Sequence, residues 1–480
     1  MSLIVKAFKG GLWFGLFRAI SQTFAWFSTI IIARILVPGD YGLMEMATIL
    51  TGYVALFSEL GLGAAIIQRE KINDNELSSL FWFMIIWGLL LGLSCIILAY
   101  PTVAIFNEER LLRVTQSVSI LFIIESFLII PLNILKRDIK FKALGFIEAI
   151  SIIISCIMMI IIAKFGGGVW TLIGGHIVRE LLKTLIIFII IPWKPRLHFK
   201  SNEIKPYIKF GLNIAGANSL YYIYSKSDRF FGGRAMGAGN LGYYSLALQL
   251  SAIPNDKLIS LINTVSFPVF SRYQNNYHEF NTFYLRLINL IAYITFPLYI
   301  GGFFIADQLI PFILGPKWEP LIFPFKLLCI AQLILSITTP NGMANTAQRR
   351  PHWHLYMSLV NAFVLPISFY FVSSYGLNAL AIPWITINPL VRFGYTYITI
   401  KKIGIKVSEY IKNLKHPIIA TISMLFVLLI TKHFYFNSFL AFYLKSYVIL
   451  TILIGAISYI LYIWAFQRSF LVSIFDLMRG

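Results

Sequence analysis

Long uninterrupted runs of apolar residues are the feature that most restricts how this chain can fold. Residues 150–163 and 417–431 contain no charged side chain, and similar runs recur along the sequence. A bilayer core about 30 Å thick requires about 20 apolar residues per helix, whereas outer-membrane barrel strands alternate over about 10 residues. The charged content of 12% is about half that of a soluble domain. We therefore predict an all-α, polytopic membrane protein.

Apolar runs separated by polar breaks predict about fourteen transmembrane helices. Their approximate bounds are 12–36, 41–67, 78–101, 112–133, 144–164, 168–192, 207–231, 241–265, 285–305, 320–340, 354–374, 376–398, 414–431 and 444–466. The second, seventh and eighth are the least apolar, so we expect them to face protein or a water-filled cavity. The breaks are too short for a soluble domain. The first run lacks a cleavage-site pattern, and we interpret it as a retained helix.

Lysine and arginine residues are distributed unequally between alternate breaks. One set of breaks holds 21 of them: Lys6, Lys9, Arg69, Lys71, Lys136, Arg137, Lys140, Lys142, Lys194, Arg196, Lys200, Lys205, Arg272, Arg349, Arg350, Lys401, Lys402, Lys406, Lys412, Arg468 and Arg479. The other set holds 7: Arg34, Arg110, Lys164, Arg229, Arg234, Lys317 and Lys432. Because basic loops stay on the cytoplasmic side, we predict that both termini are cytoplasmic. The net charge of +20 then indicates contact with the anionic inner leaflet and no nucleic acid.

An internal repeat relates the two parts of the chain at an offset of 200 residues. Seven positions match in one register: Lys9, Gly11, Leu12, Arg34, Gly39, Gly42 and Ala47 correspond to Lys209, Gly211, Leu212, Arg234, Gly239, Gly242 and Ala247. Six predicted helices separate the copies, so both copies run in the same direction. We predict two parallel six-helix halves, 1–200 and 201–405, related by a pseudo-two-fold axis. Two additional helices follow in 406–480.

Two segments near the start carry a family resemblance. Residues 36–43, Leu-Val-Pro-Gly-Asp-Tyr-Gly-Leu, and residues 59–69, Glu-Leu-Gly-Leu-Gly-Ala-Ala-Ile-Ile-Gln-Arg, resemble the polysaccharide-transporter branch of the multidrug/oligosaccharidyl-lipid/polysaccharide (MOP) exporter superfamily. Similar segments at matching positions are Asp228 with 239–243, then 267–272 and 314–318. The resemblance covers roughly the first 400 of the 480 residues.

The resemblance implies a flippase that moves undecaprenyl-pyrophosphate-linked oligosaccharide units across the bacterial inner membrane by alternating access. Within the branch, the chain looks most like the lipopolysaccharide and colanic-acid exporters, and the substrate classes implied are O-antigen, capsule and exopolysaccharide units. The implied partners are this lipid-linked substrate, membrane lipid, and the polysaccharide polymerase and chain-length machinery. No cofactor is indicated, because the glycines at 166–168 are not followed by the Gly-Lys-Ser/Thr of a phosphate-binding loop.

Twelve of the 40 basic residues lie within predicted helices. A charge near the bilayer centre costs at least about 2.5 kcal/mol. The deepest of these residues are Arg18, Arg179, Lys183 and Lys257. They predict a cationic cavity for pyrophosphate, because arginine can bind phosphate oxygens through two donors. The alternative is local neutralisation, since Glu180 adjoins Arg179 and Asp256 adjoins Lys257.

Polar side chains form a stripe along the seventh predicted helix. Asn218, Tyr222, Lys226 and Arg229 follow one another at helical spacing, which places them on one face. The two bases suit phosphate, and Asn218 and Tyr222 suit sugar hydroxyls. The alternative for the tyrosine is an aromatic belt at the membrane interface. Asp228 adjoins Arg229, either as a structural ion pair or as an ion-coupling carboxylate.

Four further acids lie in the predicted helices. We expect Glu59 and Glu125 to be candidates for ion coupling, whereas Glu45 and Glu148 lie near helix ends and are expected to be in water.

Three other functions compete with the flippase. A membrane enzyme of the same pathway, a polymerase or glycosyltransferase, is disfavoured because the longest outer break, 306–319, offers only Asp307 and Glu319 as acids. A drug or cation exporter of the same superfamily is disfavoured because the deep charges include at least as many bases as acids. A flippase for lipid-anchored peptidoglycan precursors stays open. We predict a transporter, not an enzyme.

Overall fold

The computed structural model describes residues 3–69, 72–436 and 444–467. All regular secondary structure in these residues is helical, which confirms the predicted fold class. The chain forms two compact units, Met1–Gly242 and Tyr243–Gly480. Three bases used in the charge count, Lys71, Arg468 and Arg479, lie outside the described residues. The division into two six-helix halves and a final pair stays a prediction.

Eight complete helices belong to the first unit. They are α1 (Leu3–Ile35), α2 (Pro38–Ala55), α3 (Leu62–Gln68), α4 (Asp74–Phe106), α5 (Leu111–Val118), α6 (Ile120–Arg137), α7 (Phe141–Lys164) and α8 (Val169–Ile190). The next helix, α9 (Ser201–Arg272), is interrupted at Gly237, where φ is 75° and ψ is 178°. Residues 201–236 form its first segment. Glycine adopts this conformation without the steric penalty of a Cβ atom, so the helix can be broken here.

The second unit contains the end of α9 and eight further helices. They are α10 (Tyr277–Leu314), α11 (Ile322–Thr338), α12 (Pro340–Ala347), α13 (His352–Val372), α14 (Ile382–Ile385), α15 (Ile387–Ile403), α16 (Val407–Phe436) and α17 (Leu444–Phe466). A buried aromatic cluster of Phe270, Phe280 and Tyr284 packs α9 against α10.

Nine helical stretches in the described residues are long and apolar enough to cross a membrane. They are Lys9–Ile35, Asp74–Phe106, Leu111–Arg137, Phe141–Lys164, Tyr277–Leu314, Pro316–Ala347, His352–Tyr375, Val407–His433 and Val448–Phe466. The other predicted spans, 41–67, 168–192, 207–231, 241–265 and 376–398, contain helices but carry more polar or charged residues. Their membrane crossing stays a prediction.

The second predicted span is not one continuous helix. Helix α2 ends at Ala55 and α3 begins at Leu62, with a turn between them. Leu60 and Gly61 have φ values of 45° and 59°, a left-handed conformation that interrupts a right-handed helix. Glu59 therefore lies exposed in a turn and not within a helix.

Candidate functional site

The Pro-Gly-Asp-Tyr-Gly sequence, residues 38–42, forms the first turn of α2. Pro38 occupies the first helical position, where the missing amide proton costs nothing. The Asp40 carboxylate accepts a hydrogen bond from the Val37 amide at 3.1 Å, which holds Val37 in place just before the helix. A methyl group on Gly42 would lie 1.8 Å from the carbonyl oxygen of Ala238, so only glycine allows this contact with α9. The motif thus sets both the start of α2 and its close packing.

An ionic cluster lies about two turns further along α2. The Glu45 carboxylate accepts from the ammonium of Lys226 at 2.8 Å and from the guanidinium of Arg229 at 3.2 Å. Arg229 also lies 3.1 Å from the Asp228 carboxylate, and Asp228 is fully buried. Glu45, Lys226, Asp228 and Arg229 are named here the Glu45 cluster. Its two acids and two bases balance, which lowers the cost of burying these charges.

Tyr222 joins the same helices one turn away from the Glu45 cluster. Its hydroxyl lies 3.1 Å and 2.9 Å from the carbonyl oxygens of Thr48 and Ile49. A methyl group on Gly52 would meet that hydroxyl at 2.3 Å, so the small residue makes room for it. The Tyr222 hydroxyl is therefore already engaged by α2. Asn218, one turn earlier on the stripe, is exposed.

A second group of charges lies on α8. The Glu180 carboxylate accepts from Arg179 at 2.8 Å and from Lys183 at 3.0 Å. The exposed fraction of the side chain is 7% for Glu180, 19% for Lys183 and 37% for Arg179, so the acid is inside and the arginine reaches outwards. Glu125 on α6 lies within electrostatic range of all three side chains. These four residues are named here the Glu180 cluster, and their arrangement matches the local neutralisation that was the alternative for Arg179.

The structure leaves three other predicted site residues outside these clusters. Arg18 is exposed on α1, and its side chain has no partner within the described part of the chain. Lys257 belongs to the second unit, where it interacts electrostatically with the adjacent Asp256. Glu59 lies in the turn after α2, in electrostatic range of Glu125. A role for any of these residues in binding or coupling stays a prediction.

Glu45 is the residue that sequence reasoning missed. Its position near a helix end predicted a hydrated acid, but it is partly buried and shared by two bases. The bases in the polar stripe of the seventh predicted helix were the available signal, because bases inside a membrane protein commonly pair with an acid. The identity of that partner depends on which helices pack together, and a single sequence does not show this.

A network of uncharged polar side chains in the second unit was also missed. Asn341 donates to Thr396 at 2.7 Å, and one turn later Asn345 donates to Thr399 at 2.8 Å and to the Tyr395 hydroxyl at 3.0 Å. The network joins α12 to α15. Amide and hydroxyl groups satisfy one another here without any charge, which suits a region buried among apolar helices.

The residues that the structure describes offer no metal site. No group of three or more His, Cys, Asp or Glu side chains suited to a metal ion occurs among the residues that the structure describes. His352 and His354 lie in α13 and form no such group there.

Comparison with known proteins gives a family and several relatives. Residues 31–323 match the family described as polysaccharide biosynthesis protein. The chain is 26% identical over 489 residues to an uncharacterised membrane protein in the cps region of Klebsiella pneumoniae, with 100% of this chain and 99% of the relative covered. It is 25% identical over 357 residues to the lipopolysaccharide biosynthesis protein WzxC of Escherichia coli K12, with 73% and 72% covered.

Two solved structures share the fold. The lipid II flippase MurJ in an inward closed conformation matches with a TM-score of 0.74 and 17% identity, over 95% of this chain and 99% of that chain. An inward-facing multidrug resistance MATE family transporter of the MOP superfamily matches with a TM-score of 0.64 and 15% identity, over 80% and 94%.

Proposed function

This chain belongs to the polysaccharide biosynthesis protein family, and on that premise we propose the following function. The protein is a flippase that moves undecaprenyl-pyrophosphate-linked oligosaccharide repeat units across the bacterial inner membrane by alternating access. Both termini lie in the cytoplasm. A polysaccharide polymerase and chain-length machinery receive the unit on the outer side. The protein catalyses no covalent step.

The Glu45 cluster is the observation that carries this proposal. Lys226 and Arg229 converge on one carboxylate between two helices that the sequence predicts to face protein or a water-filled cavity. Charges inside a membrane protein are costly and are characteristic of substrate or ion pathways. Two bases on one helical face match the two phosphates of a pyrophosphate, with arginine as a two-donor ligand and lysine as a point charge.

Glu45 gives this arrangement a way to bind and to release its substrate. The Glu45 carboxylate neutralises both bases, at 2.8 Å from Lys226 and 3.2 Å from Arg229. A pyrophosphate competes with Glu45 for the same donors, and the carboxylate retakes them when the lipid leaves. The binding energy is thereby limited, which permits release as well as capture. Asp228, Glu59 and Glu125 are the proposed acids for coupling to an ion.

The remaining cations extend the proposed pyrophosphate pathway. Arg179 is the most accessible base of the Glu180 cluster, and Lys183 lies beside it. Arg18 is exposed in the middle of α1, and Lys257 is the basic candidate of the second unit. Asn218 and Tyr222 are proposed sugar contacts. The Tyr222 hydroxyl is engaged by α2 and its ring packs against Tyr53, so a sugar would meet the part of the ring that stays exposed.

Deletion of the gene tests the proposal. We expect lipid-linked repeat units to accumulate on the inner leaflet and the surface polysaccharide to disappear, while the composition of the unit stays unchanged. Restoration by the intact gene is the control. Normal surface polymer in a deletion strain without a second flippase gene would refute the function, and accumulation of incomplete units would favour an enzyme.

A further inference from the structure

A groove between α1 and α7 lies apart from both charged clusters. It encloses about 590 Å³, and its lining includes Lys9, Trp13, Phe17, Lys140, Lys142 and Phe146. Apart from the lysines and the indole of Trp13, the lining side chains are hydrocarbon. The site thus combines a basic rim with an apolar floor.

The groove lies at the end of two candidate spans. The apolar stretch of α1 begins at Lys9, and that of α7 begins at Phe141. Gly10 and Gly145 allow the two helices to approach closely, because methyl groups there would lie 3.3 Å from the Cβ of Phe141 and 2.9 Å from the Cα of Phe14. The lysines are therefore at the depth of lipid headgroups, and the aromatic rings lie at the edge of the hydrocarbon.

The charges around the groove are incompletely neutralised within the described residues. Asp138 is 3.5 Å from Lys140, and Lys142 lies 5.0 Å above the ring of Trp13. Lys9 has no ion-pair partner in this part of the chain. The rim consequently keeps excess positive charge and at least one donor that is not engaged.

The start of α7 adds backbone donors to the same site. The first turn of a helix leaves amide groups without intrahelical partners, and Lys140 provides no side-chain cap for α7. The amino-terminal end of a helix attracts phosphate through these amides and through its dipole. Lys142 and Ala143 of this first turn line the groove.

We propose that the α1–α7 groove binds one anionic phospholipid, with its phosphate held by Lys9, Lys140, Lys142 and the first turn of α7. One acyl chain lies against Trp13, Phe17 and Phe146. The apolar floor favours a glycerophospholipid over the lipid-linked oligosaccharide, because it offers almost no hydrogen-bonding groups to sugars. The site is a structural lipid site, distinct from the proposed transport pathway, and links the first helix to α7.

Native mass spectrometry of the purified full chain tests this site. The intact protein should retain phosphatidylglycerol but not phosphatidylcholine with the same acyl chains. The variant Lys9→Gln with Lys142→Gln should weaken phosphatidylglycerol binding by about 25-fold, because each base near an anionic lipid contributes about fivefold. The control, Lys164→Gln with Lys412→Gln, removes the same charge from two exposed lysines elsewhere. Equal binding of the two lipids, or equal losses in the two variants, would overturn the proposal.

Two further measurements make the result independent of variant folding and of lipid source. Phosphatidylglycerol should protect Lys9 and Lys142 of the unmodified protein from acetylation, measured by peptide mass spectrometry, while Lys164 stays reactive. Equal acetylation with and without the lipid contradicts the site. Undecaprenyl phosphate should fail to displace phosphatidylglycerol; displacement that depends on the same lysines would identify a carrier-lipid site instead.

Discussion

The ammonium of Lys226 lies 2.8 Å from the carboxylate of Glu45, a residue 181 positions earlier in the chain. This pair joins α2 to the first segment of α9 and places Arg229 beside the same carboxylate. The second and seventh predicted spans, which are far apart in the sequence, therefore form one charged site. Each of its residues is a target for substitution.

Exchange of the two partners tests whether the pair stabilises the fold. Lys226→Glu alone should lower the thermal unfolding midpoint in detergent, because two carboxylates would then lie close together. Adding Glu45→Lys should recover part of the loss, with a coupling energy of about 0.5–3 kcal/mol. Lys164→Glu, at an exposed position, is the control and should change little. Additive effects of the two exchanges would contradict a direct pair.

Close packing at Gly42 predicts a steric defect. Gly42→Ala should reduce the amount of folded protein or its export activity, because the methyl group would lie 1.8 Å from the Ala238 carbonyl. Gly39→Ala is the matched control, since nothing lies within 4 Å of a methyl group there. Surface polysaccharide and protein level should be measured for both. A normal Gly42→Ala strain would exclude this contact.

The internal repeat predicts the same steric defect at Gly242, which lies 200 residues after Gly42. A methyl group on Gly242 would lie 1.8 Å from the carbonyl of Pro38, and Gly239 is again open. At the offset of 200 residues, Pro38 corresponds to Ala238. Gly42 thus contacts Ala238 and Gly242 contacts Pro38, as expected for two related turns that meet reciprocally. Gly242→Ala should be as harmful as Gly42→Ala, whereas Gly239→Ala should be tolerated. Tolerance of Gly242→Ala with failure of Gly239→Ala would contradict the reciprocity.

Substitutions in the Glu180 cluster distinguish two roles for Arg179, binding of the substrate and neutralisation of Glu180. If Arg179 binds pyrophosphate, Arg179→Lys should keep part of the export activity and Arg179→Glu should have none, because the sign of the charge decides attraction. The double variant Arg179→Gln with Glu180→Gln should also be inactive. Recovered export in this double variant, at normal protein level, would remove Arg179 from the substrate pathway.

Membrane orientation is accessible to cysteine labelling. Lys200→Cys should react with a membrane-impermeant reagent only after the cells are opened, and Asn240→Cys should react in intact cells, as the distribution of basic residues predicts. Both variants should first be expressed in a background without the three native cysteines, which are all buried. Labelling of Lys200→Cys from outside would reverse the orientation.

The helical membrane fold was predictable because apolar run length depends only on local sequence. The stripe of Lys226 and Arg229 was predictable for the same reason, since helical periodicity places them on one face. The break at Leu60 and Gly61 was not, because apolar residues on both sides of Ser58 and Glu59 give the run the length of a single span.

Contacts between distant segments account for the rest of what the sequence did not show. Glu45 pairs with bases more than 180 positions away, and the repeated glycines contact each other's turns. The repeat indicated that Gly42 and Gly242 are equivalent but did not indicate that the two turns touch. The engagement of Tyr222 by carbonyl groups of α2 likewise depends on helix packing.

Transport by the purified protein tests the central claim most directly. The chain is reconstituted into vesicles that contain a labelled undecaprenyl-pyrophosphate-linked oligosaccharide, and the fraction accessible to an externally added glycosidase is measured over time. The intact protein should expose the inner-leaflet pool, while Lys226→Gln with Arg229→Gln, reconstituted in equal amount, should expose only what empty vesicles do. An intact protein that exposes no more substrate than empty vesicles would contradict the flippase.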